Sequence, residues 1–84
     1  MRREIGRHIV IDPEIHHGAM TFRGTRIPIA YVLDDVAEGT DWDTVVEQWH
    51  GSVTPEAIGE AIRLAVDALL AEHGQPRRSE PAPA

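Results

Sequence analysis

The apolar residues of this chain follow two periods, a strand-like one near the start and a helical one from residue 29 onwards. Residues 9–11 are a β-branched run that ends at Asp12-Pro13, and residues 19–22 are a second apolar run behind a glycine-containing loop. Such runs between turn residues are typical of strands. We therefore expect a β-hairpin over residues 8–23, which must pack on the helices or on a second subunit because an isolated hairpin is unstable in water.

Apolar residues then recur every three or four positions, which is the period of an α-helix. The predicted helices span about residues 29–38, 42–49 and 55–73. Gly39 fits the left-handed residue that ends many helices, Asp41 can cap the second helix, and Thr54-Pro55 supplies an N-cap and a first-turn proline to the third. The predicted core stripe of the third helix is Ile58, Ile62, Ala65, Val66, Leu69 and Leu70.

These elements predict an α+β fold, mainly α, in which a short N-terminal β-hairpin precedes a three-helix, helix-turn-helix-like core. Residues 1–7 are a basic arm, residues 8–73 are a single domain, and the proline-rich tail at residues 74–84 has no large apolar residue and is expected to be disordered. A domain this small buries only about 60% of its unfolded surface. Association, most simply as a homodimer, is therefore expected.

The net charge of −6 conceals a change of sign along the chain. Residues 1–26 carry five arginines and three carboxylates, whereas residues 27–73 carry ten carboxylates and a single arginine, a net charge of −9. Every cationic side chain is an arginine, whose planar guanidinium matches phosphate or carboxylate, although biased genome composition explains this equally well. The first region suits nucleic acid, and the acidic region suits a basic partner.

The run Phe22-Arg23-Gly24-Thr25-Arg26-Ile27-Pro28-Ile29 joins the hairpin to the first helix. Gly24 can take a positive φ without steric cost, and the fixed φ of Pro28 suits a helix start. We expect the chain to turn here and begin a helix. Taken alone, the two arginines are most simply solvated charges, or Arg26 pairs with Asp34.

This run and its flanks resemble the domain-of-unknown-function 433 family of small bacterial proteins over about residues 8–65. The matching segments are Ile9-Val10-Ile11-Asp12-Pro13, His17-Gly18-Ala19-Met20, Arg23-Gly24-Thr25-Arg26-Ile27-Pro28-Ile29, Ala37-Glu38-Gly39 and Thr54-Pro55-Glu56-Ala57-Ile58. Two segments depart from the family pattern. Gly18-Ala19-Met20 stands where Gly-Lys-Pro is usual, which removes a positive charge, and Trp49-His50 stands in place of a Tyr-Pro pair.

The resemblance implies a VapB-like antitoxin of a type II toxin–antitoxin pair, which neutralises a PIN-like ribonuclease toxin by protein–protein binding. It further implies autoregulation through operator DNA, but it implies no mechanism at the level of residues. The alternative is a stand-alone dimeric DNA-binding transcription regulator, or a protein-interaction module without a toxin.

Charge and position suggest residues for each surface. In a helix-turn-helix the third helix would read DNA, but Glu56 and Glu60 near its start would repel phosphates. The arginines are therefore the better candidates, and the predicted DNA-binding residues are Arg2, Arg3, Arg7, Arg23, Thr25 and Arg26, the first three on a flexible arm. The predicted partner-binding residues are Leu64 and Ala71, placed opposite the core stripe, and Arg77 and Arg78 of the tail.

The chain offers little for catalysis. The best candidates for metal ligands are Asp12, Glu14, His16 and His17, but their spacing matches no ligand motif. We expect no enzyme activity, no cofactor and no small-molecule substrate. The chain has no cysteine, no apolar run near the roughly 20 residues that span a bilayer, and no signal-peptide pattern, so a cytoplasmic location without membrane contact is expected.

Overall fold

Three short strands form an antiparallel sheet at the start of the chain, and three helices follow it. The computed structural model describes residues 1–76. The strands are β1 (Arg3–Glu4), β2 (Ile9–Ile11) and β3 (Met20–Phe22), in the spatial order β1-β2-β3. The helices are α1 (Ile29–Ala37), α2 (Trp42–Gln48) and α3 (Pro55–Glu72). The fold is therefore α+β and mainly α, as the sequence predicted.

The predicted hairpin is formed by β2 and β3, with Ile9 opposite Phe22 and Ile11 opposite Met20. The sequence analysis missed β1, in which Glu4 pairs with Val10. The expectation of a flexible basic arm is corrected here, because residues 3–4 form an edge strand. A strand of only two residues is too short to show a period in the sequence, which is why the pattern did not predict it.

The junction between β3 and α1 is a tight turn that Thr25 closes. The Thr25 hydroxyl donates to Phe22 O at 2.7 Å and accepts from Ile27 N at 3.0 Å, while Phe22 N donates to Ile27 O at 3.0 Å. Gly24 has a φ of +78°, the left-handed conformation that the sequence predicted. Pro28 is the N-cap residue of α1, so the turn leads directly into the helix.

The predicted helix caps are present. The Asp41 carboxylate accepts from Thr44 N at 3.1 Å and from Thr44 Oγ1 at 2.7 Å, and these bonds lower the pKa of Asp41. The Thr54 hydroxyl accepts from Ala57 N at 3.1 Å, and Pro55 is the first helical residue of α3. Since each cap satisfies a backbone donor at a helix start, the helix boundaries follow from local sequence.

The core draws side chains from the sheet, all three helices and the loop before α3. Its buried members are Ile9, Phe22, Val32, Val45, Val53, Ala57, Ile58 and Ala61. In α3 the predicted stripe is correct only near the start of the helix, because Val66 is 40% exposed and Leu69 is 57% exposed. With 18 residues, α3 is twice as long as α1, so its apolar period continues beyond the elements that cover it.

Two threonines in the junction region differ in how their hydroxyls are satisfied, which gives a matched test. Thr21 is fully buried and, within residues 1–76, its hydroxyl has no hydrogen-bond partner. Replacing it with valine keeps the shape and removes the desolvated hydroxyl, so we expect Thr21→Val to stabilise the fold by about 1 kcal/mol. Thermal unfolding measures this as a rise in Tm of about 4–8 °C.

The control is Thr25→Val, which removes two satisfied hydrogen bonds and is expected to destabilise the fold by about 1–2 kcal/mol. Equal losses of stability in the two variants would show that the Thr21 hydroxyl has a partner in solution.

Candidate binding surfaces

An open apolar groove runs between α1, α3 and one face of the sheet. Its volume is about 410 Å³. All of its lining residues are apolar, and they are Ile5, Ile9, Met20, Ile29, Ala30, Leu33, Ala61, Leu64, Ala65 and Ala68. Ile9 and Ala61 are buried at its floor, whereas Met20 is 42% exposed. A groove of this composition can bury apolar side chains of another protein.

The two predicted partner-binding residues on α3 lie differently with respect to this groove. Leu64 packs against the core and lines the groove, so its expected position opposite the core is corrected. The predicted core face of α3 included apolar residues near the end of the helix, and these residues are exposed, so the opposite face was misplaced. Ala71 is exposed and does not line the groove. Arg77 and Arg78 lie outside the described residues.

Each of the two helices that form the groove carries an exposed carboxylate one turn beyond a lining residue. Asp34 follows Ala30 by one helical turn on α1, and Glu72 follows Ala68 by one turn on α3. Residues four apart share one face of a helix, and both carboxylates are exposed. The lining of the groove is therefore apolar, while the helices that form it also carry exposed carboxylates.

On the opposite face of the sheet, a second depression is lined by arginines. This arginine cleft has a volume of about 390 Å³ and is lined by Arg2, Val10, Asp12, Ile15, Arg23, Gly24, Thr25 and Arg26. Val10 and Ile9 are successive residues of β2, so their side chains point to opposite faces of the sheet. Because Ile9 lines the groove and Val10 lines the cleft, the two surfaces lie back to back.

Arg23 is fixed in place by the turn between β1 and β2. Its guanidinium donates to Arg7 O at 2.7 Å, to Glu4 Oε2 at 3.0 Å and to Gly6 O at 3.3 Å. The hydrogen bond and the charge of Arg23 lower the pKa of the Glu4 carboxyl, and Glu4 in turn raises the pKa of Arg23. Arg23 therefore has a structural role that the sequence analysis did not anticipate.

Glu60 of α3 holds the same turn from its other side. Its carboxylate accepts from His8 N at 2.7 Å and from Arg7 N at 2.9 Å. Partial burial is the largest single effect and raises the pKa of Glu60, but the amides of His8 and Arg7 together with the Coulombic attraction of both residues outweigh it, and the net pKa is lowered. A carboxylate engaged in this way is not available for DNA reading by α3. Sequence reasoning missed this contact, since residues 8 and 60 are far apart in the chain.

The structure thus brings together part of the predicted DNA-binding set. Arg2, Arg23 and Arg26 share the arginine cleft, but Arg7 lines a different depression with Arg63, and Arg3 lines neither. Thr25 also lies in the cleft, but its hydroxyl hydrogen already donates to Phe22 O. Within the described part of the chain, Arg26 forms no ion pair, so the alternative pairing with Asp34 is not seen.

Two further findings concern metal binding and membranes. Among residues 1–76, no three histidine, cysteine, aspartate or glutamate side chains are placed to hold a metal ion. Asp12 instead accepts from Glu14 N at 2.9 Å. In the same range, none of the helices combines the length and the apolar composition needed to cross a membrane.

The lowered pKa of Glu60 predicts a loss of stability in acid. Because the folded-state pKa lies below the ordinary value of 4.5, the stabilisation is present above that value and is lost as the pH falls through the folded-state pKa. We expect Glu60→Gln to be less stable than the parent by roughly 1 kcal/mol at neutral pH, and the difference to shrink as the pH falls below the ordinary value and through the folded-state pKa. Urea denaturation at a series of pH values measures it.

Glu47→Gln is the control, because Glu47 is exposed on α2 and its carboxylate forms no hydrogen bond within the described residues. This variant should differ little from the parent at any pH. A deficit of Glu60→Gln that is equally large in acid would contradict the role of the charged carboxylate.

Comparison with known proteins agrees with the resemblance seen in the sequence. No curated protein and no solved structure matches the chain. The family model described as "Protein of unknown function (DUF433)" matches residues 9–65, a range that includes the hairpin, α1, α2 and the start of α3. Since this match covers more than half of the chain, the protein belongs to the DUF433 family.

Proposed function

We propose that this protein is the antitoxin of a type II toxin–antitoxin pair and neutralises a PIN-like ribonuclease by binding it. The family resemblance suggests the class of partner, and the apolar groove is the surface on which that partner would dock. The proposed activity is protein–protein binding in the cytoplasm. It requires no catalysis, cofactor or small-molecule substrate on the part of this chain.

The observation that carries the proposal is the groove between α1 and α3. Its lining is entirely apolar, and Met20, Ala65 and Ala68 are exposed within it. Exposed apolar patches bordered by polar residues are typical of protein interaction sites. A partner segment seated here would gain about 25 cal/mol for each Å² of apolar surface removed from water.

Charge supports a basic partner for this groove. Both helices that form it belong to residues 27–73, with their net charge of −9, and each of them carries an exposed carboxylate one turn beyond a lining residue, at Asp34 and Glu72. A ribonuclease that binds RNA presents positive charge to the phosphates. Attraction between that charge and the negative charge of this chain would speed the association of the two proteins. A second copy of this chain would instead bring like charges together. We therefore assign the expected homodimer contact to another surface.

Co-expression with the product of the neighbouring gene tests the proposal. The tagged chain is purified, and the stoichiometry of the complex and its ribonuclease activity are measured. We expect a stoichiometric complex in which the nuclease is inactive and becomes active when it is released. A folded neighbour that does not co-purify would contradict the proposal. A neighbour that binds but lacks nuclease activity would indicate an interaction module instead.

A charge placed in the groove should weaken this complex. Ala68 is exposed on the groove side of α3, and glutamate is a good helix former, so Ala68→Glu should fold normally. A desolvated carboxylate in an apolar contact is unfavourable by more than about 1.4 kcal/mol, so the Kd should rise at least about ten-fold. Titration calorimetry of the complex measures the change, with Tm as a check on folding.

Val66→Glu is the matched control, because Val66 is exposed on the other side of α3 and does not line the groove. It should leave the Kd nearly unchanged. If Val66→Glu weakens binding and Ala68→Glu does not, the partner docks on the opposite side of α3.

A further inference from the structure

We propose that the arginine cleft binds the phosphodiester backbone of nucleic acid. This site lies on the opposite face of the sheet from the groove and goes beyond the proposed neutralisation, which does not use it. The residues that carry the inference are Arg2, Arg23 and Arg26.

The three guanidiniums differ in the number of hydrogen bonds and ion pairs that they form within the protein. Arg2 and Arg26 are exposed, and within residues 1–76 neither forms an ion pair. Arg23 donates three hydrogen bonds to the β1–β2 turn, which leaves two of its five N–H groups for a ligand. Arg23 is therefore held rigidly beside Arg2 and Arg26, whose guanidiniums form no hydrogen bond or ion pair with the rest of residues 1–76, an arrangement that suits bidentate binding of phosphate.

The backbone of the turn adds donors to the cleft. The amides of Gly24 and Arg26 have no hydrogen-bond acceptor within the described residues. A Cβ placed on Gly24 would meet nothing within 4 Å, so the backbone is open to a ligand at this point. Backbone N–H groups beside arginines are common phosphate donors in protein–nucleic acid contacts.

A polymer of phosphates fits the cleft better than a single small anion or an acidic peptide. The whole chain carries −6, and Asp12 stands in the cleft itself, so an isolated anion gains little net attraction. A nucleic acid releases condensed counterions for each phosphate that is neutralised, and this gain adds up over several arginines. None of the carboxylates of residues 27–73 lines the cleft, and salt screens their repulsion over about 8 Å at physiological ionic strength.

Fluorescence anisotropy of the full chain tests the site, with a labelled mixed-sequence DNA duplex and a labelled single-stranded RNA as probes over a salt series. We expect the double variant Arg2→Gln/Arg26→Gln to bind at least about ten-fold more weakly at low salt and to reduce the slope of log K against log salt by about 1.8. Asp12→Asn, which removes the opposing charge and keeps the oxygen bonded to Glu14 N, should bind more tightly.

Arg63→Gln is the control, since it removes a positive charge away from the cleft, one where the double variant removes two. It should leave the affinity within about two-fold of the parent if the cleft is the site. Binding of either probe with this pattern of variants supports the site and identifies the source of the phosphodiester. Absence of salt-dependent binding to both probes, or an equal loss in Arg63→Gln, overturns it.

Two further measurements distinguish binding of nucleic acid from binding of acidic proteins, and the role of the cleft from that of the groove. Polyglutamate that displaces the nucleic acid at equal charge concentration would overturn the preference for phosphate. Ala68→Glu should bind both probes normally, so failure of the cleft and failure of the groove would be recognised independently of each other.

Discussion

The turn between β1 and β2 is held between two charged side chains, and the arrangement of the sheet on the helices depends on this contact. Arg23 donates hydrogen bonds to the carbonyl oxygens of Gly6 and Arg7, and the Glu60 carboxylate accepts hydrogen bonds from the amides of Arg7 and His8. The acceptors and donors of one turn are therefore satisfied by opposite charges from β3–α1 and from α3. This joins the start of the chain to its longest helix without requiring a large apolar core.

Because the turn is fixed in this way, the small sheet has two defined faces. One face covers the core and opens into the apolar groove, while the other faces the arginine cleft. Three of the arginines thus line one face of the sheet, whereas the groove on its other face is formed in part by helices from the acidic region of the sequence. A protein with this layout can present different surfaces to a basic protein and to a polyanion at the same time.

Features set by neighbouring residues were predictable from sequence, and those set by distant contacts were not. The caps at Asp41 and Thr54 and the turn at Gly24 follow from local chemistry, so the helices and the hairpin were placed correctly. The hydrogen bonds of Glu60 join residues about fifty positions apart. The pairing of β1 involves a strand too short to show a period. The cleft was foreseen only as a set of arginines, since strand alternation alone does not show which of them converge.

The position of β1 bears on where this domain begins. The family match starts at residue 9, yet Glu4 pairs with β2, and a Cβ on Gly6 would lie 2.8 Å from the Glu60 carboxylate. A chain trimmed to residues 9–65 would keep Arg23 and Glu60 but lose the turn that they hold, and β2 would become an open edge, where strands of other molecules can add and aggregate. The sheet of this protein thus begins before the segment that the family model matches.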